Sequence, residues 1–276
     1  MTYSGTGLRV RYGEVLALDD VSVTIEPGSV VVVVGGDGAG KTTLLRSLVG
    51  EAPLESGTVV APDAAGVGYL TAAAGSWPAL TVRQNMDFVG GIYGLSDPVL
   101  ASRRDDLLHR AGLSDARDRL ASQLSGGMRR KLGFSMAMLH EPPLLVLDEP
   151  TTGVDPVSRV ELWRLVSEAA ASGAAVLMST TYLDEAQRAG SLLALDGGRT
   201  LAQGSLEEVL GSLQGTVTVS DRPARPEWAW RRGRVHHEYW PAGERPPAGA
   251  IAAAPDLEDV VVALSLTRRH RSGAAA

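Results

Sequence analysis

The sequence predicts an α/β fold: a core of buried parallel strands, an antiparallel β subdomain before it, a helical subdomain inserted in its middle and a small C-terminal appendage. Three observations carry this expectation. Val30 to Val34 is an unbroken β-branched run followed by a glycine-rich loop and a segment with helical spacing. A second buried run, Leu144 to Leu147, ends in Asp148 and Glu149. Between them, from about 81 to 140, apolar residues recur at helical and not strand spacing.

Taken in order, Leu8 to Ile25 alternates Val and Leu with polar residues and turns near Gly13, which predicts a strand pair. Pro27 and Gly28 make a turn before the buried strand, and Lys41 to Gly50 reads as a helix. Thr81–Tyr93, Asp97–Ala111 and Gly126–Leu139 read as helices; in the last, Leu132, Met136 and Leu139 share one face. The strand pattern returns at Leu144–Leu147 and Ala174–Ser179, with a helix over Pro156–Ala171 between them. Leu192–Leu195 and Thr200–Ala202 flank Gly197–Gly198 as a closing hairpin. After about Gly215 the composition turns to Pro, Arg, Trp and Gly. Leu257–Leu266 then forms a short helix or strand before an Ala/Gly-rich end. We therefore expect a domain over 1–215 and an accessory segment over 216–276.

Gly35 to Thr42 fits the spacing of a phosphate-binding loop, with Gly35 and Gly40 at the fixed glycines. Glycines let successive amides of Gly36, Asp37, Gly38 and Ala39 turn toward an anion, and the helix that follows adds its positive end. Lys41 is placed to reach the β- and γ-phosphates of ATP and Thr42 to ligate Mg²⁺, with Thr43 as a further nucleotide-binding residue. Lys41 and Lys131 are the only lysines among 26 basic residues, so Lys41 stands where arginine's planar fork does not substitute for a compact ammonium. Two carboxylates ending a buried strand are costly unless they face a cation or water. Asp148 is the expected metal-holding group and Glu149 the residue that orients the attacking water.

Leu124-Ser125-Gly126-Gly127-Met128-Arg129-Arg130-Lys131 is a small-residue helix start, and between the phosphate loop and the acidic strand it resembles the signature motif of ABC ATPases. The resemblance covers about residues 7 to 210. It implies a RecA-like P-loop NTPase core, an adenine-stacking role for Tyr12, and a D-loop at Thr152–Pro156. It also implies a head-to-tail dimer in which ATP lies between one phosphate loop and the partner's Ser125, Gly126 and Gly127. The Met-Arg-Arg continuation, Gly204–Glu208 and Pro255–Val260 resemble the drug- and lipid-exporting (daunorubicin-resistance, ABC-2) branch. The partners so implied are a transmembrane permease subunit and a second ATPase subunit, with the chain peripheral on the cytoplasmic face of the membrane.

Two positions depart from that family pattern. Ala72 stands where the Q-loop has its metal-facing glutamine, and Thr181 where the switch has its histidine. The five histidines, at 109, 140, 236, 237 and 270, are all elsewhere in the sequence. These are either tolerated changes or marks of a slow site in an asymmetric heterodimer, and losing both sensors favours the second.

Composition trims the alternatives. A net charge of −6 disfavours a nucleic-acid binder, and zero cysteines exclude disulfides and thiolate metal sites. No stretch reads as a signal peptide, and no apolar run approaches the ~20 residues that span a bilayer. A regulatory subunit with little turnover and a non-transport ABC ATPase remain as competing readings. In the tail, Trp228, Trp230 and Trp240 are expected to pack a small fold with the heads of Arg231, Arg232 and Arg234 in solvent. Deleting the residues after Gly215 is expected to leave ATP binding intact but to weaken dimer pairing or regulation.

Overall fold

The computed structural model describes residues 1–73 and 75–273; positions 274–276 of the Ala/Gly-rich end lie outside the described residues. The chain opens with β1 (Tyr3–Tyr12) and β2 (Val15–Ile25), which pair antiparallel around Gly13, a left-handed residue at φ 58°. Then come β3 (Val30–Val34), α1 (Lys41–Leu48), β4 (Leu54–Val60) and β5 (Val67–Leu70). The helical insertion is α2 (Val82–Ile92), α3 (Asp97–Arg110) and α4 (Gly126–Met138). The core resumes with β6 (Leu144–Leu147), α5 (Pro156–Ala171), β7 (Ala175–Thr180), a single turn α6 (Leu183–Ala186), β8 (Ser191–Asp196), β9 (Arg199–Gly204) and α7 (Leu206–Gly211). A small sheet of β10 (Gly215–Ser220), β11 (Ala229–Arg232), β12 (Val235–Pro241) and β13 (Ile251–Ala253) precedes α8 (Leu257–Gly273).

The central sheet has the order β5-β6-β7-β3-β8-β9, parallel except for β9. Its strands are apolar throughout because both faces are covered, and alternate residues feed two cores. Val31 and Val33 pack with Leu44 and Leu45 of α1 and with Leu8, Val10 and Val21 of the β2-β1-β4 sheet. Val32 and Val34 face Leu132, Leu162, Trp163 and Val166 of α4 and α5. Burying a Leu or Val side chain contributes about 1.5–3 kcal/mol, so these two layers hold the sheet's C-terminal edge in place. This antiparallel, parallel and helical assembly is the fold class that the sequence pattern predicts.

Local chemistry sets the helix starts. Thr81 and Gln84 form a reciprocal capping box on α2. Asp155 accepts from the amides of Val157 and Ser158, with Pro156 at the first position of α5. The sequence alone marks neither β4 nor β5 as a strand: β4 is almost wholly exposed, and Gly68 and Tyr69 break the aliphatic run of β5.

In the C-terminal sheet Trp240 is buried under the Arg225 guanidinium, 3.7 Å from the ring centre, while Trp228 and Trp230 pack near Tyr239 and Ala263. Arg231 and Arg234 are exposed, but the head of Arg232 is not free in solvent. It meets Asp256 at 2.8 Å and the buried Asp259 at 3.1 Å, because α8 folds back over the sheet. α8 also reaches the central sheet: Ser265 Oγ donates to Asp196 at 2.8 Å, and Arg268 donates to the carbonyls of Asp196 and Gly197. Among the described residues no helix is long and apolar enough to cross a membrane.

Candidate nucleotide site

The loop between β3 and α1 is shaped by its glycines. A Cβ on Gly35 would lie 2.5 Å from the Leu195 carbonyl oxygen, and one on Gly40 would lie 2.8 Å from that of Ala17, at φ 103°. Either substitution would force backbone apart. By contrast a Cβ on Gly36 or Gly38 would meet nothing within 4 Å, so these two face the open cleft. That cleft, of about 390 Å³, is lined by residues 36 to 43, by Val15 to Ala17 and by Glu149. Asp37, Gly38, Ala39, Thr42 and Thr43 are thus all on it. Tyr12, 42% exposed, pairs with Val15 at its rim.

Lys41 is buried, and its ammonium donates to the carbonyl oxygens of Gly35 at 2.8 Å and Gly36 at 3.2 Å. It lies 3.3 Å from Glu149 Oε1. Thr42 Oγ1 donates to Asp148 Oδ1 at 3.2 Å. One hydroxyl, one buried carboxylate and one ammonium therefore converge where β3 and β6 end, on the carboxyl edge of a parallel sheet, the usual ligand side of such folds. The donor set suits a hard cation that takes most of its shell from water and phosphate. Among the described residues no cluster of three His, Cys, Asp or Glu exists, and such a nucleotide-bound cation requires none. Thr42 and Asp148 are the groups that fit Mg²⁺.

Glu149 sits at φ 47°, a conformation that costs a non-glycine residue about 1–3 kcal/mol unless its surroundings impose it. Two contacts impose it. Its amide donates to Ser179 Oγ at 2.9 Å, and its Oε2 accepts from Thr152 Oγ1 at 3.1 Å. Ser179 in turn donates to Asp148 Oδ1 at 2.7 Å, so one fully buried hydroxyl positions both carboxylate residues. A second buried hub lies behind them. Glu185 accepts from Thr151 at 2.9 Å, Thr180 at 2.7 Å and Arg159 at 3.1 Å. It ties the residue after Pro150 to the end of β7 and to α5.

Sequence reasoning missed Ser179 and Glu185 as site-building residues. Ser179 signals only by polarity near the end of a buried strand, and Glu185 is an acid on a short helical turn, and both patterns are common.

Ser125, Gly126 and Gly127 do not line the cleft. Ser125 caps α4 by accepting from the Met128 amide at 3.2 Å, and both Ser125 and Gly126 are exposed. Gly127 is buried, and a Cβ there would come within 2.5 Å of Ser158 Oγ on α5. Ala72 and Thr181 are exposed, and Thr181 makes no side-chain hydrogen bond among the described residues. Tyr69, beside Asp148, has its phenol pushed above the ordinary range by burial and then by that carboxylate.

Residues 18–152 match the family model described as "ABC transporter". The chain is 35% identical over 223 residues to the Nod factor export ATP-binding protein I of Cupriavidus metallidurans, covering 77% of this chain and 74% of that one. It is 37% identical over 230 residues to the daunorubicin resistance ATP-binding protein DrrA2 of Streptomyces coeruleorubidus, covering 78% and 71%. It is also 38% identical over 217 residues to the Escherichia coli protein named "Probable multidrug ABC transporter ATP-binding protein YbhF", but spans only 38% of that protein's length. Among solved structures, one titled as the ATP-binding subunit of an ABC transporter superposes with a TM-score of 0.70 at 27% identity, over 76% of this chain and 92% of that one.

Proposed function

The chain belongs to the ABC transporter ATP-binding family, and from that premise we propose that it is the motor subunit of an exporter, binding and hydrolysing ATP to drive a separate membrane-spanning partner. The observation that carries this reading is the convergence of Lys41, Thr42, Asp148 and Glu149 on one cleft. In it the amides of Gly36 to Gly40 and the first turn of α1 wrap the phosphates, and Lys41 exchanges its carbonyl contacts for phosphate oxygens. Thr42 and Asp148 would hold a magnesium ion, which would supply neutralisation of the phosphates' charge. Glu149, oriented by Ser179 and Thr152, polarises the attacking water. Tyr12 at the rim stacks on the base.

Export is supported by the relatives named for Nod factor and daunorubicin. A membrane partner is supported by the apolar groove beside β5, where Trp77 and Ile92 remain 39% and 64% exposed, and by Phe88, 49% exposed, edge-on to Trp77. The exposed Ser125 and Gly126, away from their own phosphate loop, suit a second ATPase subunit whose nucleotide they cover. The net charge of −6 gives no support to nucleic-acid binding.

A second reading is favoured by Ala72 and Thr181: this chain's own site turns over slowly and the working unit is an asymmetric heterodimer. Thr181 is too short to bridge Glu149 and a phosphate as an imidazole would.

Titration calorimetry with Mg·ATP tests the leading reading. Binding heat that vanishes in Lys41→Ala and persists in Glu149→Gln is expected, and no heat in the unmodified chain refutes it. Turnover by the purified chain alone at about 1 s⁻¹ or faster, lost in Glu149→Gln, refutes the slow-site reading.

A further inference from the structure

Several partly buried arginines meet a carboxylate: Arg104 meets Asp87, Arg110 meets Glu168, and Arg159 meets Glu185, whereas Arg129 and Arg268 donate to backbone carbonyls away from the acidic end of β6. Arg130, on the second turn of α4, is half-buried and forms no ion pair within 4.0 Å among the described residues. Its Nη1 donates at 3.3 Å to the carbonyl of Thr71, the residue immediately before Ala72. Thr71 follows Leu70, whose carbonyl accepts from the Asp148 amide at 2.8 Å. The guanidinium therefore sits at the carboxyl edge of β5 and β6, beside Asp148 and Glu149, on the nucleotide side of the sheet. Burial lowers its affinity for its proton, and the fields of Glu149 and Asp148 oppose that only in part. A half-buried cation with no carboxylate within 4.0 Å, at the edge where the nucleotide cleft lies, is suited to an anion.

We propose that Arg130 reads the terminal phosphate of a nucleoside triphosphate in this chain, making from α4 the contact that Ala72 cannot make. The proposal rests on the nucleotide reading above. It gives the helical subdomain a direct means of sensing ATP against ADP. An arginine contact to a charged oxygen contributes about tenfold to a hundredfold in affinity when fully engaged.

The test is nucleotide affinity of the full chain by calorimetry, with Mg·ATP and Mg·ADP side by side. Arg130→Gln keeps a donor for the Thr71 carbonyl and loses only the charge; Arg130→Lys keeps the charge. Arg130→Gln is expected to weaken Mg·ATP about tenfold or more and Mg·ADP less than twofold, with Arg130→Lys recovering part of the loss. Restoring a glutamine through Ala72→Gln in the Arg130→Gln background is expected to recover ATP preference. Equal loss for both nucleotides, or no loss for ATP, overturns the proposal while Lys41→Ala still reports whether the site binds nucleotide. If the unmodified chain binds neither nucleotide, the underlying reading falls first.

Discussion

Ser179→Ala removes one buried oxygen and should disturb the site more than its size suggests. The hydroxyl donates to Asp148 Oδ1 at 2.7 Å and accepts from the Glu149 amide at 2.9 Å, with Ser179 wholly buried. A hydrogen bond to a charged group contributes about 1.5–3 kcal/mol, and a stranded buried amide costs about 1–3 kcal/mol. Part of this is recovered as Asp148 leans on Thr42, so the expected loss is about 3 kcal/mol. For a chain of this size that lowers the thermal midpoint by roughly 5 °C. Ser47→Ala is the control. Ser47 is equally buried, but its hydroxyl only donates back to the Thr43 carbonyl, which also serves as a helix acceptor, so about 0.5 kcal/mol or less is expected. Scanning fluorimetry and urea unfolding of both variants give the comparison. With the amide freed, Glu149 should also leave its left-handed conformation, and ATP turnover should fall while Mg·ATP affinity changes little. If Ser179→Ala loses no more stability than Ser47→Ala, the bridge between the two carboxylate residues is not what fixes them.

Glu185→Gln, which uncouples the hub joining Thr151, Thr180 and Arg159, should cost about 3 kcal/mol in urea unfolding, since Arg159 keeps Asp184 as a second partner. His140 stacks on Tyr93 at 3.6 Å, and burial holds its pKa below the ordinary 6.5. The unfolded chain therefore binds the proton first, so stability should drop as pH falls below about 6.5, a slope that His140→Phe should remove from a thermal-midpoint series. Arg268→Ala releases α8 from the Asp196–Gly197 turn, whose next residue, Gly198, donates to the Ala39 carbonyl of the phosphate loop at 3.0 Å. We expect Mg·ATP affinity to weaken about threefold to tenfold, measured by calorimetry. Deleting α8 should weaken it further, against the expectation from composition that the tail is dispensable for ATP binding.

The chain's own order of residues determined what depends on neighbours in sequence. The loop from Gly35 to Thr42 was legible because its chemistry is local: a buried strand, glycines where backbone must pass close, and a helix start are all set within thirteen residues of Val30. The acidic end of β6, the helix starts at Thr81, Ser125 and Asp155, and the alternation of Val30 to Val34 between two cores follow from the same local rules of period and capping. Tertiary structure alone decided the contacts between distant segments. Ser179 meets Asp148, Glu185 meets Thr151, Arg130 meets Thr71, and Arg268 meets Asp196. A polar residue at a strand end or on a helix reads the same whether it faces water or a partner. Only the packing of the sheet, which removes the water, gives each of these groups defined partners and so a role.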